Sequence, residues 1–130
     1  MFRLVVEGPG RNLHPILRDE IYRIAREALR NAFLHAHARQ IEAEITYADS
    51  GLRLRVRDDG DGIPATILEA GRSGHYGLPG MRERAAQIGA KLNIWSGSGA
   101  GTEIDLSIPG SIAYGTSPGR RSFRLFRKTS

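Results

Sequence analysis

No cysteine occurs in this chain of 130 residues, so disulfides, thiolate metal sites and a cysteine nucleophile are excluded, and a reducing compartment fits. Long apolar runs are missing as well: none approaches the roughly 18 residues needed to span a membrane. The start, MFRLVVEGPG, has no basic region, no extended apolar stretch and no small-residue cleavage site, so it does not read as a secretory signal. These absences lead to the expectation of a soluble, cytoplasmic protein with no membrane segment in this chain. The length suits one domain with a two-layer core.

Acid is absent from one end. Lys and Arg number 19 against 14 Asp and Glu, a net charge of +5. The whole surplus is carried by Arg120, Arg121, Arg124, Arg127 and Lys128. The segment SIAYGTSPGRRSFRLFRKTS, rich in Ser, Gly and Pro, reads as a basic, flexible C-terminal tail, residues 111–130, following a domain of residues 1–110. Phe123, Leu125 and Phe126 give it a means of docking, although solvation is the simpler reading. Over the rest of the chain the charges cancel, and nothing there points directly to nucleic acid.

Periodicity sets out the elements. Phe2 to Glu7 alternates as a short edge strand before a Gly-Pro-Gly turn. Pro15 opens a helix running to about His37, with Leu17, Ile21, Ile24, Ala25, Ala28 and Ala32 at helical spacing. Alternation at Ile41, Ala43, Ile45 and Tyr47, a turn at Asp49-Ser50-Gly51, and alternation at Leu52, Leu54 and Val56 describe an antiparallel hairpin. A glycine-rich irregular stretch, residues 60 to 80, leads to a helix with Met81, Ala85 and Ile88 inward and Gly89 as its stop. Lys91 to Ser96 and Thr102 to Ile108 make a second hairpin around GSGAG. Hairpins without regular βαβ alternation predict an α+β, two-layer sandwich in which a mostly antiparallel sheet lies under helices.

Several polar residues fall on apolar faces. Asp58 is in phase with Leu52, Leu54 and Val56, and Thr102 with Ile104, Leu106 and Ile108. Taking about 100° per residue with Ile24 as zero, Asn31 lies near −20° and His35 near +20°, inside the apolar stripe of the long helix. Glu27 lies at its margin, one turn before Asn31. Buried polar groups require partners, and an unpaired carboxylate costs several kcal/mol or surrenders its charge. Taken singly, each residue could be satisfied locally, with Asp58 capping a turn and Thr102 bonding backbone. Together they point to a polar-lined cavity between sheet and helix.

Competing motifs fail on spacing. Placing Gly62 at the glycine position of an EF-hand loop puts Arg57 first and Leu68 last, where acids are needed. No GxxxxGK[ST] occurs; GSGAGT lacks the GxGxxG spacing; His35 and His37 do not share a helix face and no HExxH exists, so a zinc site is not expected. What remains is Glu27-x-x-x-Asn31 on a helix, Asp58-x-Gly60-x-Gly62 after a strand, Gly77-x-x-Gly80 before a helix and Gly99-x-Gly101-Thr102 opening a strand.

In that order, EALRNAFLHAHA, RDDGDGI, GHYGLPGMRERA and GAGTEI closely resemble the N box and three glycine boxes of the ATP-binding domain of sensor histidine kinases. This is the GHKL superfamily, which also contains gyrase, the chaperone of the ninety-kilodalton class and mismatch-repair ATPases. The match runs from about Leu4 to Pro109, and GLPGMRERA is similar to response-regulator kinases with a short lid. The resemblance implies a Bergerat fold, a mixed, mostly antiparallel sheet covered on one face by helices. It implies ATP and Mg²⁺ as cofactors and γ-phosphoryl transfer to a histidine on a separate dimerisation domain, then onward to a response regulator.

Residue by residue, the resemblance makes Asp58 the acceptor for the adenine amino group, with Gly60 and Gly62 allowing close backbone approach and Thr102 completing adenine recognition. Asn31 would be an oxygen ligand to Mg²⁺ and Glu27 the catalytic residue that positions or deprotonates the nucleophile. Gly77 and Gly80 would let the lid close and present backbone N–H groups or the following helix's N-terminus to phosphate, with Leu78 and Met81 in the same ATP-binding set. Arg82 and Arg84 are either phosphate-neutralising or ordinary surface arginines. His35 either helps organise the phosphate site or is a hydrogen-bonded core histidine. Asp59 and Asp61 are expected in solvent without a role in the chemistry. Leu34, where relatives often carry a basic residue, and Asp59, for a frequent asparagine, depart from the pattern.

The four histidines precede Pro15, Ala36, Ala38 and Tyr76, and none resembles a phospho-acceptor. The chain therefore corresponds to the catalytic half of a kinase, a monomeric domain and the cytoplasmic part of a membrane-bound sensor or a stand-alone partner. Two alternatives stand beside it: an ATP hydrolase or serine kinase of the same superfamily, and a non-enzymatic adaptor or nucleic-acid binder using the tail.

Overall fold

The computed structural model describes residues 1–64, 77–97 and 99–114. Five strands form one sheet in the order β1-β2-β3-β5-β4: β1 (Phe2–Glu7), β2 (Ile41–Ala48), β3 (Gly51–Asp58), β4 (Lys91–Gly97) and β5 (Gly101–Pro109). β1 pairs parallel to β2, and the other pairings are antiparallel. Helices α1 (Pro15–Leu34), α2 (Leu78–Gln87) and the single turn α3 (Gly110–Ala113) complete the described elements. The expected mixed, mostly antiparallel sheet under helices is what forms. Among the described residues no helix is long and apolar enough to cross a membrane.

α1 begins where Pro15 sets the first-turn φ and the His14 ring accepts a hydrogen bond from the Ile16 N–H at 3.3 Å. Its inward residues Leu17, Ile24 and Ala28 pack with Met81 and Ala85 of α2 over Leu52, Leu54 and Val56 of β3 and Ile104, Leu106 and Ile108 of β5. α2 ends as its sequence indicates, with Gly89 in the left-handed conformation at φ 73° just past the last turn. α1 stops at Leu34 rather than near His37. His35 caps it, His37 has φ 53°, and the Ala36 carbonyl accepts the Asp61 N–H at 2.7 Å instead of continuing the helix.

The other sheet face carries charge in paired rows. Glu42 accepts from Arg57 and from Arg3, the latter at 2.8 Å; Arg55 donates to Glu44 at 2.7 Å; Arg53 donates to Asp105 at 2.9 Å. Each exposed pair contributes little by itself, but opposite charges across strands specify register.

The chain stays packed slightly beyond the expected boundary at residue 110. Ala113 is fully buried, the Tyr114 hydroxyl donates to the Gly51 carbonyl at 3.1 Å, and the Arg11 guanidinium lies 3.8 Å from the centre of the Tyr114 ring. The rest of the basic tail, residues 115–130, lies outside the described residues, as do residues 65–76 of the glycine-rich stretch.

Two measurements test this account. Arg57 first, then Arg3, holds the Glu42 carboxyl below its ordinary value of 4.5, and Arg53 does the same for Asp105. A carboxyl depressed in the folded state stabilises fully above its unfolded pKa and loses that contribution as pH falls through the folded value. The urea midpoint is therefore expected to fall as pH drops below about 4.5, and less steeply in Glu42→Gln. A Cβ at buried Gly60 would collide with the Ala36 carbonyl, so Gly60→Ala is expected to cost about 1–3 kcal/mol by overpacking. An unchanged midpoint for that variant would contradict the close approach.

Candidate functional site

Asp58 is the last residue of β3, facing Thr102 across the β3–β5 ladder on the helix side. Both line one narrow cleft with Asn31, His35, Gly62 and Ile63. Three of the polar residues expected to converge thus do so, from three separate segments. Asn31 and Thr102 are buried, at 7% and 8% exposure. His35 is corrected in part: it borders the cleft but is exposed, because α1 ends one residue earlier and its side chain sits at the rim rather than in the apolar stripe.

Asp58 is half-buried. Burial pushes its carboxyl above the ordinary range, opposed by the Gly60 N–H, which donates to its Oδ1 at 2.8 Å. The fold therefore bears a desolvation cost to keep this acid inward. The Thr102 hydroxyl is 3.0 Å from the Ser96 hydroxyl, which accepts from the Ile63 N–H at 2.6 Å. Ser96 was not among the sequence candidates.

The neighbouring acids are exposed, as expected, yet each is tied down. Asp59 Oδ1 accepts the N–H groups of Arg39 and Gln40 at 2.8 and 2.9 Å, which holds its carboxyl below the usual range. Asp61 lies 2.7 Å from the His37 ring nitrogen, and its carbonyl accepts the Gly99 N–H at 2.9 Å. The dense acid run at the end of β3 is one cleft carboxylate beside two acids that fasten loops. Gly60 and Gly62 also have reasons inside the protein: a Cβ on the first would strike Ala36, and one on the second, at φ 84°, would strike the Gly97 carbonyl.

A second, open depression of about 520 Å³ lies further along α1, lined by Arg23, Arg26, Glu27, Gly77, Gly80 and Arg84 among others. Gly77 caps α2 at φ 66°, and a Cβ there would come within 2.6 Å of the Glu27 side chain. No side chain caps this helix, so the N–H groups of Leu78 and Gly80 are among the first-turn donors without an intrahelical partner. The Leu78 side chain is core, at 1% exposure. Met81 is equally buried, and its N–H is engaged by the Gly77 carbonyl at 3.0 Å. Arg84 is engaged with Glu20 at 2.9 Å, while Arg82 is exposed.

Among the described residues no three His, Asp or Glu side chains cluster to enclose a metal. The donor set nevertheless fits a hard cation held largely by a ligand's own oxygens, since the Asn31 carboxamide borders the cleft and supplies a neutral oxygen of the required kind.

Comparison with known proteins agrees with this geometry. Residues 17–112 match the family model described as histidine kinase-, DNA gyrase B- and HSP90-like ATPase. The sensor histidine kinase LiaS of Bacillus subtilis is 37% identical over 93 residues, covering 72% of this chain and 25% of that protein. The sensor protein VraS of Staphylococcus aureus is 34% identical over 93 residues, covering 72% and 26%. The chain thus spans about a quarter of the length of these curated relatives. Among solved structures, the histidine kinase domain of the blue-light activated kinase from Erythrobacter litoralis superimposes with a TM-score of 0.68 at 25% identity, over 85% of this chain and 55% of that one. The chain belongs to the histidine kinase-, DNA gyrase B- and HSP90-like ATPase family.

Proposed function

We propose that this domain binds Mg-ATP and transfers its γ-phosphoryl group to a histidine on a separate helical dimerisation domain, from which it passes to a response regulator. One observation carries the reading: Asn31, Asp58 and Thr102, from α1, β3 and β5, border a single cleft on the helix side of the sheet. An ionised Asp58 offers acceptors only, which suits the exocyclic amino group of adenine. Thr102 adds a hydroxyl beside it. Asn31 would hold Mg²⁺, which when bound neutralises charge on the phosphate oxygens. The first-turn N–H groups of Leu78 and Gly80 face anions favourably at the N-terminus of α2.

Glu27, next to Gly77 in the open depression, would accept a hydrogen bond from the attacking imidazole's N–H and so orient its other nitrogen toward phosphorus. Such positioning supplies much of the rate in phosphoryl transfer. The same placement suits a water or a serine hydroxyl, which keeps an ATP hydrolase or serine kinase as the second reading. In line with the charge-balanced domain and the absence of a spanning helix among the described residues, a cytoplasmic location is part of the proposal.

The cleft beside Asp58 has a free volume of only about 10 Å³, room for one water. A purine enters by displacing a wall, and Ile63, in the glycine-rich corner, forms one side of it.

Calorimetry with Mg-ATP on the wild-type chain and on Asp58→Asn is the direct test. The variant keeps an oxygen for the Gly60 N–H but opposes the adenine amino group with a second donor. Its affinity is expected to fall about 10- to 100-fold, the loss of a hydrogen bond to a charged group, with folding stability near neutral pH unchanged or higher because no ionised acid is buried. Equal affinities would remove the adenine assignment.

Glu27→Gln is expected to leave Mg-ATP affinity within about two-fold, while lowering transfer to an added acceptor domain about 10²- to 10⁴-fold, the range of a general base. Acid-labile phosphohistidine is the readout that separates histidine transfer from hydrolysis. Gly80 has open space around its missing Cβ within a helix, so Gly80→Ala is expected to raise stability by about 0.5–1 kcal/mol. If its N–H meets phosphate, the added methyl weakens nucleotide binding at the same time.

A further inference from the structure

Ser96 ends the inward-facing row Leu92, Ile94, Ser96 of β4 and pairs with Thr102 across the β4–β5 ladder. Its hydroxyl meets three neighbours: the Ile63 N–H at 2.6 Å, the Thr102 hydroxyl at 3.0 Å and the Gly101 carbonyl at 3.3 Å. A serine hydroxyl has one proton and two acceptor lone pairs. One lone pair is used by Ile63, so the proton goes either to Thr102 or to Gly101. If it goes to Thr102, that residue's own proton is turned toward the cleft. If it goes to Gly101, Thr102 donates to Ser96 and shows the cleft only lone pairs. In both arrangements Ser96 occupies one hydrogen-bonding position of the Thr102 hydroxyl and so restricts its rotor.

The same contact ties the corner after β3 to the β4–β5 hairpin. A Cβ on Gly62 would come within 3.1 Å of the Ser96 hydroxyl, so the serine also fills the space behind the turn. Ser96 thus contacts two residues of the cleft lining, the Thr102 side chain and the Ile63 backbone, without being one of the lining residues itself.

We infer that Ser96 is a positioning residue for base selection: by fixing the Thr102 hydroxyl and the Ile63 backbone it makes the cleft discriminate the substituent at position 6 of a bound purine. The inference rests on the nucleotide reading above. An amino group at that position is a donor next to an acceptor ring nitrogen, whereas an oxo group is an acceptor next to a ring N–H. A Thr102 hydroxyl held in one orientation serves one of these patterns. Once released, it rotates to serve either.

The experiment measures dissociation constants for Mg-ATP and for the magnesium complex of inosine triphosphate, which has the 6-oxo group. They are measured on the full chain and on Ser96→Ala, Ser96→Thr, Thr102→Val and the Ser96→Ala/Thr102→Val double variant. The wild type is expected to prefer ATP. In Ser96→Ala the preference is expected to narrow about five-fold, the size of one neutral hydrogen bond, and to recover in Ser96→Thr, which restores the hydroxyl. In the Thr102→Val background the Ser96→Ala change is expected to leave the preference unaltered, because the serine acts through the threonine.

Equal weakening of both nucleotides in Ser96→Ala, or effects on the preference that simply add in the double variant, overturns the inference and leaves nucleotide binding standing. A wild-type chain that binds neither nucleotide overturns the functional reading and this inference with it. Thr102→Ser gives a check that does not depend on Ser96→Ala folding. If Ser96 sets the rotor, this variant keeps the wild-type preference; if the stiffness of the threonine branch sets it, the preference drops and the inference is overturned.

Discussion

The site depends on a hydrogen-bonded corner at residues 58–63, where β3 ends. Within six residues the backbone and side chains reach four other parts of the molecule. Asp59 gathers the N–H groups that lead into β2, Asp61 joins the residues just after α1 and the β4–β5 turn, and Ile63 is held by Ser96. Asp58 folds back onto Gly60. These bonds fix the distance between the end of α1 and the end of the sheet, and that distance is the width of the cleft. A corner built this way needs acids as backbone acceptors and glycines where chains come too close for a Cβ, which accounts for the composition of DDGDG without giving every carboxylate a catalytic task.

The two faces of the sheet show how unusual Asp58 is within this fold. On the open face acids and arginines meet as neighbours, and the resulting shifts favour the charged forms of Glu42, Asp105, Arg53 and Arg57. On the helix face the strands are apolar except at one end, where Asp58, Thr102 and Ser96 lie together. There burial acts against the charged form of the acid. Each polar group keeps some internal partner, so the arrangement survives without ligand, yet Asp58 still lines a cleft with little room for water. An apolar side chain at position 58 would serve packing better. An acid at this point is what the proposed recognition role would explain.

Much of this was legible in the sequence because it follows from period. Alternation in Leu52-Leu54-Val56 and Ile104-Leu106-Ile108 located the inward faces, and simple phase then turned Asp58 and Thr102 inward. The long helix was equally clear up to Asn31. The wheel angle failed at His35 because it assumes a helix that continues, and continuation was ended by a tertiary event, the Ala36 carbonyl bonding Asp61. The glycines were read as accommodating a ligand and turn geometries that a Cβ would hinder; the close approaches of Gly60 to Ala36 and of Gly62 to Gly97, far apart in sequence, had no local signal. Ser96 had a usable signal, its phase with Leu92 and Ile94, but a serine ending a strand before GSGAG looks like a turn residue until the β4–β5 register puts it opposite Thr102. The engagement of Arg84 with Glu20 joins two helices and has no local signature.

The size of the cleft bears on how such a domain would work. The two depressions follow one another along α1, the tight one bordered by Asn31 and His35 and the open one by Glu27 and Arg23. A nucleotide lying along the helix would put its base in the tight end and its phosphates in the open end, so most of the reorganisation on binding falls on the base side. There one wall is Ile63, tied to Ser96 through its backbone N–H and itself part of the buried core, while the opposite wall is α1, built into the same core through Ile24 and Ala28. On the proposed reading, seating a base would disturb hydrogen bonds of the corner, while Glu27 and the N-terminus of α2 would remain in place for the phosphates.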